Sequence, residues 1–341
     1  MEETELLVIW PTDRCNLQCR YCYAEAGVQG EDLSWETLQK FLDRFAGRQV
    51  KVQFAGGEPL LRQEILWKTA EYLKKGHWKF SLQVQTNGTL ITPQTAQRLK
   101  QYGFAVGISM DGGKEINEKN RGRTGDVLRG IACLGEAGIE VGINGVLTGE
   151  DLQGPSQLAR MALVFPNIRG IAIDLLRKSG RAITEGGPEP PQPEQVSQAL
   201  RMLYEMTKSI EKLTGRTLAI REVEEARQRL QKRNAGVSHC YACLGRSHVL
   251  VPDGKIYPCG SLVGEEAWCM GNADEKNDGR RRLPAVLRPQ CSSCQWNPWC
   301  TRGCPARYMA NGSDGQEAEC MLKKTAFELA YKEIEARRQK R

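Results

Sequence analysis

Apolar and polar positions follow two rhythms over the first half of the chain. Short apolar runs read as strands: "ELLVIW" (5–10), "VKVQFAG" (50–56), "KFSLQVQT" (79–86), "FAVGISM" (104–110), "IEVGINGVL" (139–147) and "IRGIAIDLL" (168–176). Between them, apolar residues recur at helical spacing in "SWETLQKFLDRFA" (34–46), "EILWKTAEYLKKG" (64–76), "PQTAQRLKQYG" (93–103), "GDVLRGIACLGEAG" (125–138) and "PSQLARMALVF" (155–165). Ser34 and Thr92 stand at N-cap positions and Gly76 at a helix end. Six strands joined by five helical crossovers predict a parallel α/β sheet, open or curled into a partial six-stranded barrel. Ligands of such sheets sit at the carboxyl ends of the strands.

The regularity stops near residue 178. "SGRAITEGGPEPPQPE" (179–194), rich in Gly and Pro, reads as a linker, and two polar helices follow at about 194–213 and 220–233. Residues 236–320 are rich in Gly, Pro and Cys with little periodicity. Such a segment buries too little apolar surface to hold itself together, and metal clusters are the natural substitute. "AFELAYKEIEARRQKR" closes the chain as a charged helix. The expected divisions are 1–178, a core; 179–235, linker and bridging helices; 236–322, a Cys-rich domain; and 323–341, a terminal helix.

Composition narrows the setting. No stretch of eighteen apolar residues exists, and "MEETELLVIW" begins with acids rather than a cationic signal, so the chain reads as cytoplasmic with no membrane partner. A net charge of +7 spread over a chain that is 26% charged gives no argument for nucleic acid. Thirteen cysteines are many for a reducing compartment, where clustered thiols point to metal rather than to disulfides.

Three of them, Cys15, Cys19 and Cys22, crowd into "RCNLQCRYCYAEAG" (14–27), directly after the first strand. Three thiolates from one loop hold three corners of a [4Fe–4S] cluster, which ordinarily takes four, and leave one iron open. Zinc is the competing reading, but a structural zinc site completes four ligands, often as two Cys-x-x-Cys pairs. The motif, with Tyr21 just before its last cysteine, resembles the radical S-adenosylmethionine (SAM) superfamily. That resemblance implies a partial (β/α)6 TIM-like barrel and reductive cleavage of SAM to a 5′-deoxyadenosyl radical that takes a hydrogen atom from substrate.

Other segments agree in order. By the resemblance, Gly56, Gly57 and Glu58 of "GGEP" (56–59) meet the methionyl amino group, Ser109 of "GISMDG" (107–112) contacts the ribose or methionyl end, and Arg121 takes the SAM carboxylate, with Arg123 as a rival. The backbone of Tyr23 meets the adenine, beside an apolar wall from "IDLL" (173–176), and "QTNG" (85–88) ends the third strand. Asp111 is expected to structure its turn, and Cys133, among Ile131 and Leu134, to be a small core residue.

"CYACLGRSHVLVPDGKIYPCG" (240–260) and "CSSCQWNPWCTRGC" (291–304), with Cys320 beyond, resemble the SPASM extension of the superfamily, which holds two auxiliary [4Fe–4S] clusters. "PDGKIYPC" reads as a hairpin turning at Asp253-Gly254. The resemblance assigns Cys240, Cys243, Cys259 and Cys304 to one cluster and Cys291, Cys294, Cys300 and Cys320 to the other. Zinc ribbons are the alternative, and Cys269 falls outside the pattern. His239 and His248 flank the first set as candidate proton carriers or ordinary packed side chains. Trp296 and Trp299 are expected to shield a cluster, and Arg280 to Arg282 to form a solvated loop or attract an acidic leader peptide.

The implied enzyme is a radical SAM/SPASM maturase that oxidatively modifies a peptide or protein side chain. It would be served by an external one-electron donor of flavodoxin or ferredoxin type. The alternative is a cofactor-biosynthesis maturase acting on a small molecule, tetrapyrrole or metallocofactor precursor. Gly260 stands where anaerobic sulfatase-maturating enzymes carry an aspartate base, which disfavours formylglycine formation. The first strand starts near Glu5, leaving no room for an N-terminal peptide-recognition domain, so a peptide substrate would need a separate recognition protein or a short motif read by the enzyme itself.

Overall fold

The computed structural model of the chain describes residues 4–232, 238–275, 280–286 and 288–339. The end of the helix expected at 233 and the last two residues of the terminal helix lie outside them. The strands are β1 (Glu5–Ile9), β2 (Gln49–Phe54), β3 (Lys79–Thr86), β4 (Ala105–Ser109), β5 (Val141–Leu147), β6 (Ile168–Leu175), β7 (Ala219–Ile220), β8 (Ser247–Leu250) and β9 (Ile256–Tyr257). The helices are α1 (Trp35–Asp43), α2 (Gln63–Lys75), α3 (Pro93–Gln101), α4 (Lys114–Asn120), α5 (Thr124–Glu136), α6 (Gly154–Met161), α7 (Pro193–Thr214), α8 (Arg221–Lys232), α9 (Tyr241–Leu244) and α10 (Pro305–Gln339).

Among the described residues the strands form one sheet in the order β7-β6-β5-β4-β3-β2-β1-β8-β9, parallel throughout except for the β8–β9 hairpin. The six expected strands pair in sequence order, each crossover carrying helix. Alternate residues explain the two faces. Leu7, Ile9, Val50, Val52, Phe54, Val84, Ile108, Ile143 and Ile171 are buried in one core with Leu38, Phe41, Leu66, Leu73, Leu99 and Ile131 of the helices. The intervening positions, among them Gln53, Gln83, Gln85, Gly107, Ser109, Gly142 and Asn144, remain partly accessible. One face of the sheet is therefore apolar under helices, and the other is small and polar.

Three features depart from the sequence reading. The hairpin turning at Gly254 (φ +84) is present, but its first strand, β8, also extends the core sheet, pairing Leu6 with Ser247 through Ile9 with Leu250. The stretch 179–194 is no free linker: a 3-10 turn at Gly180–Ile183 packs Gly180 against the backbone of Cys22 and Tyr23. The terminal helix begins at Pro305, bends at Gly312 (φ 63, ψ −147) and carries Cys320, well before the expected start at 323. No helix among the described residues is long and apolar enough to cross a membrane.

Candidate active site

A cavity of about 340 Å³ opens at the carboxyl ends of β1 to β6. Cys15, Cys19 and Cys22 line it from the loop after β1. That loop is pinned from several sides. Cys15 N–H donates to Gly27 O (2.6 Å), and Arg181, in the stretch read as a linker, donates from Nε to Cys19 O (2.9 Å) and from Nη1 to Ala26 O (3.0 Å). Burial pushes the Cys15 thiol up to about 11 and raises Cys19 as well, so thiolates at these two positions are unfavourable until a cation joins them. Soft sulfur donors on an enclosed, pinned loop suit an iron–sulfur cluster.

The "GGEP" turn lies directly on this loop. Glu58 N–H donates to Arg14 O (2.8 Å), and a Cβ at Gly57 would stand 2.0 Å from that same oxygen. At Gly56 (φ +109) a Cβ would meet the Trp10 ring at 2.6 Å. Only glycine allows the approach. Glu58 also lines the cavity, yet its carboxylate is engaged inside the protein: Oε1 accepts from Leu60 N (3.0 Å) and Thr86 Oγ1 (2.6 Å), and Oε2 from Asn87 N (2.8 Å). Burial lifts this carboxyl to about 7 while the three hydrogen bonds oppose the rise. Glu58 thus ties the turn to the end of β3, and Asn87 in "QTNG" reaches on to Asn16 Oδ1 (2.9 Å).

Ser109 lines the cavity and accepts from Gln85 Nε2 (2.8 Å), whose Oε1 takes a hydrogen bond from Asn144. Asp111, 2% exposed, accepts from the Tyr21 hydroxyl, Arg121 Nε (3.0 Å) and Val146 N (2.9 Å), so it joins three segments rather than one turn. Arg121 lies over the Tyr21 ring and lines the cavity, whereas its rival Arg123 pairs outward with Asp126 (2.5 Å). Tyr23, Leu175 and Leu176 complete the wall, with Asp174, Arg177 and Arg221, which sequence reasoning missed.

The later cysteines form two groups. Cys240, Cys243, Cys259 and Cys304 pack together around Ala242, Leu262, Leu283 and Ala306, with Cys240 and Cys243 Sγ 3.7 Å apart. Cys291, Cys294, Cys300 and Cys320 line a second cavity of about 280 Å³ with Trp296. Cys300 and Cys304 go to different groups because Arg302 (φ 65) and Gly303 (φ 86) reverse the chain between them in left-handed conformations. Among the described residues no three His, Cys, Asp or Glu side chains converge on one point.

The Radical SAM superfamily profile matches residues 9–162. An uncharacterized protein of Methanocaldococcus jannaschii is 30% identical over 295 residues, spanning 84% of this chain and 93% of that one. The chain belongs to the radical SAM superfamily. A serine-type anaerobic sulfatase-maturating enzyme of Klebsiella aerogenes is 27% identical across 88% of this chain and 79% of its own. An AdoMet-dependent heme synthase of Methanosarcina barkeri is 26% identical across 94% and 96%. The structure of native anSMEcpe with bound AdoMet and Cp18Cys peptide superposes with a TM-score of 0.81 at 23% identity, covering 99% of this chain and 100% of that one. The fold is thus that of a radical SAM enzyme with a SPASM-type extension, and SAM and a [4Fe–4S] cluster are its cofactors.

In this radical SAM enzyme the remaining candidates have structural places. His239 is half-buried, and desolvation with the nearby Lys323 charge lowers it to about 3, with Nδ1 3.3 Å from Thr301 Oγ1. His248 sits in the β1–β8 seam beside Phe45 and Glu5. Trp296 stacks on Phe327 of α10 (5.5 Å), and Trp299 packs against the core. Cys133 packs against the same core, and Cys269 joins Trp10 and Tyr257, apart from both later groups. Arg280 reaches Glu5 (2.8 Å) and Arg281 lies over Trp268, so this run is engaged with the fold.

Proposed function

We propose that the protein is a SPASM-type maturase that oxidatively modifies a peptide or protein side chain, using one SAM-binding and two auxiliary [4Fe–4S] clusters. The observation that carries this reading is the meeting of Cys15, Cys19, Cys22, the Gly56-Gly57 backbone, Ser109 and Arg121 around one cavity, with eight more cysteines in two groups of four. When bound, the N-terminal cluster and SAM supply a 5′-deoxyadenosyl radical that abstracts hydrogen from substrate. The three loop cysteines hold the cluster and leave one iron for the amino acid end of SAM. Gly56 and Gly57 offer backbone to its amino group, Arg121 its guanidinium to the carboxylate, and Ser109 a hydroxyl to the ribose or methionyl end. The Tyr23 backbone and the Leu175–Leu176 wall hold the adenine. The cysteine groups 240/243/259/304 and 291/294/300/320 would each close a cluster fully, which suits accepting an electron from substrate, while an external one-electron donor of flavodoxin or ferredoxin type would serve the reductive cleavage of SAM.

The peptide-bound neighbour and the sulfatase-maturating relative support a peptide or protein substrate, delivered directly or by a separate recognition protein. Gly260 after Cys259 argues for an outcome other than formylglycine. The heme synthase relative, matched over nearly its whole length, supports the second reading, a tetrapyrrole or other small-molecule precursor. Iron analysis of the anaerobically reconstituted chain tests the assignment. Replacing Cys15, Cys19 and Cys22 with Ala should remove about four irons, and Cys304→Ala or Cys320→Ala should each disturb only its own auxiliary cluster. Equal iron in the triple variant and the unaltered chain would refute it.

A further inference from the structure

A chain of charges, buried at Arg307 and Glu319 and half-buried at Asp174 and Arg177, runs from the cavity to the first group of later cysteines. At the cavity, the Arg177 guanidinium lies over the Tyr23 ring (4.9 Å) and its Nη2 is 3.4 Å from Asp174 Oδ2. Asp174 pairs with Arg307, at the start of α10, and Arg307 pairs with Glu319 further along the same helix. Arg307 is 7% exposed and Glu319 2%. Glu319 Oε2 also accepts the Cys304 N–H (3.1 Å).

Position gives this chain a purpose. Asp174 and Arg177 line the cavity, Arg307 is three residues past Cys304, and Glu319 directly precedes Cys320. The bend of α10 at Gly312 brings Arg307 and Glu319 face to face. A planar guanidinium engages two carboxylates at fixed angles, which an ammonium cannot do. Buried ionic groups of this kind are expensive, and removing one partner leaves the others uncompensated.

We propose that Arg307 is a positioning residue: by bridging Asp174 and Glu319 it fixes the Cys304 site against the SAM cavity, and its charge raises the reduction potential of the cluster there. The proposal rests on the reading that Cys240, Cys243, Cys259 and Cys304 hold an auxiliary cluster. A nearby cation favours the more negative, reduced state of a cluster and a nearby anion disfavours it. Arg307 and Glu319 therefore act with opposite sign on one site.

The test uses the full chain, reconstituted anaerobically, with each cluster's potential followed by EPR and hydrogen exchange measured in apo and loaded protein. Arg307→Met is expected to lower the potential of one auxiliary cluster, leave the SAM cluster unchanged, and speed exchange at both 174–177 and 304–307. Arg307→Lys is expected to recover the potential but not the exchange protection. Glu319→Gln, which also serves if Arg307→Met does not fold, is expected to raise the same potential. Unchanged potentials in all variants, or shifts of one sign in both Arg307→Met and Glu319→Gln, would overturn the proposal. An unaltered chain carrying iron for only one cluster would overturn the underlying assignment, and the proposal with it.

Discussion

Arg181 shows how much of the site depends on side chains that carry no chemistry. Its two hydrogen bonds to Cys19 O and Ala26 O, with its own N–H on Cys22 O (3.1 Å), close the cysteine loop from outside. Hydrogen bonds from a charged donor are worth about 2 kcal/mol each. Arg181→Met should therefore loosen the loop, cutting iron at the N-terminal site and SAM cleavage about tenfold or more, while the later cysteines keep their iron. Iron analysis beside 5′-deoxyadenosine formation checks this, and Arg181→Lys should recover only part of both. The loop cysteines were legible because a three-thiol spacing has few other uses. Arg181 was not, because its stretch is rich in Gly and Pro and no local pattern tells a strap from a linker. Asp174 and Arg177 escaped for a related reason: they stand at a strand end whose apolar neighbours dominate the pattern.

At the scale of elements, the strands and crossovers of the core followed from alternation and helical spacing, since each buries one regular face. The Cys-rich segment has no such period, and its course depends on single backbone conformations. Gly303 is the clearest. With φ 86 it turns Cys304 away from Cys300, and a Cβ there would stand 2.7 Å from Glu319 Oε2. Gly303→Ala should cost roughly 2–3 kcal/mol, from left-handed strain and overpacking together. Gly312 also has positive φ (63), with ψ −147 in a region kept for glycine, but nothing within 4 Å of its Cβ position, so Gly312→Ala should cost about 1–3 kcal/mol from backbone strain alone. Urea unfolding of the two apo variants measures the difference, and iron loss should accompany only the first.

Across the whole molecule, the extension is joined to the core through the sheet itself. Sequence indicated a hairpin at 253–254 but not that its first strand pairs with β1, because a lone short apolar run does not name its neighbour. Glu5, 3% exposed, lies in that seam. Arg280 Nη2 approaches Oε1 to 2.8 Å, Arg48 Nη1 to 3.4 Å, and His248 Nε2 lies 3.4 Å from Oε2. Burial would raise the Glu5 carboxyl, but His248, Arg280 and Arg48 together hold it below its ordinary value of 4.5. A carboxyl lowered on folding contributes stability that is fully present above the unfolded value and lost as pH falls through the folded one. Stability should therefore decline in acid below about pH 4.5, and Glu5→Gln should flatten that slope while lowering stability at neutral pH by about 2 kcal/mol. Unfolding midpoints across pH, compared between the two proteins, supply the check.

The central claim is that the loop after β1 leaves one iron open, and that the cavity beside it holds SAM for reductive cleavage. Reconstituted protein with its iron confirmed, given dithionite and SAM under anaerobic conditions, tests it by direct assay of 5′-deoxyadenosine. The account predicts steady formation of that product and none from the variant lacking Cys15, Cys19 and Cys22. No product from the fully loaded enzyme, or undiminished product from the variant, would contradict it.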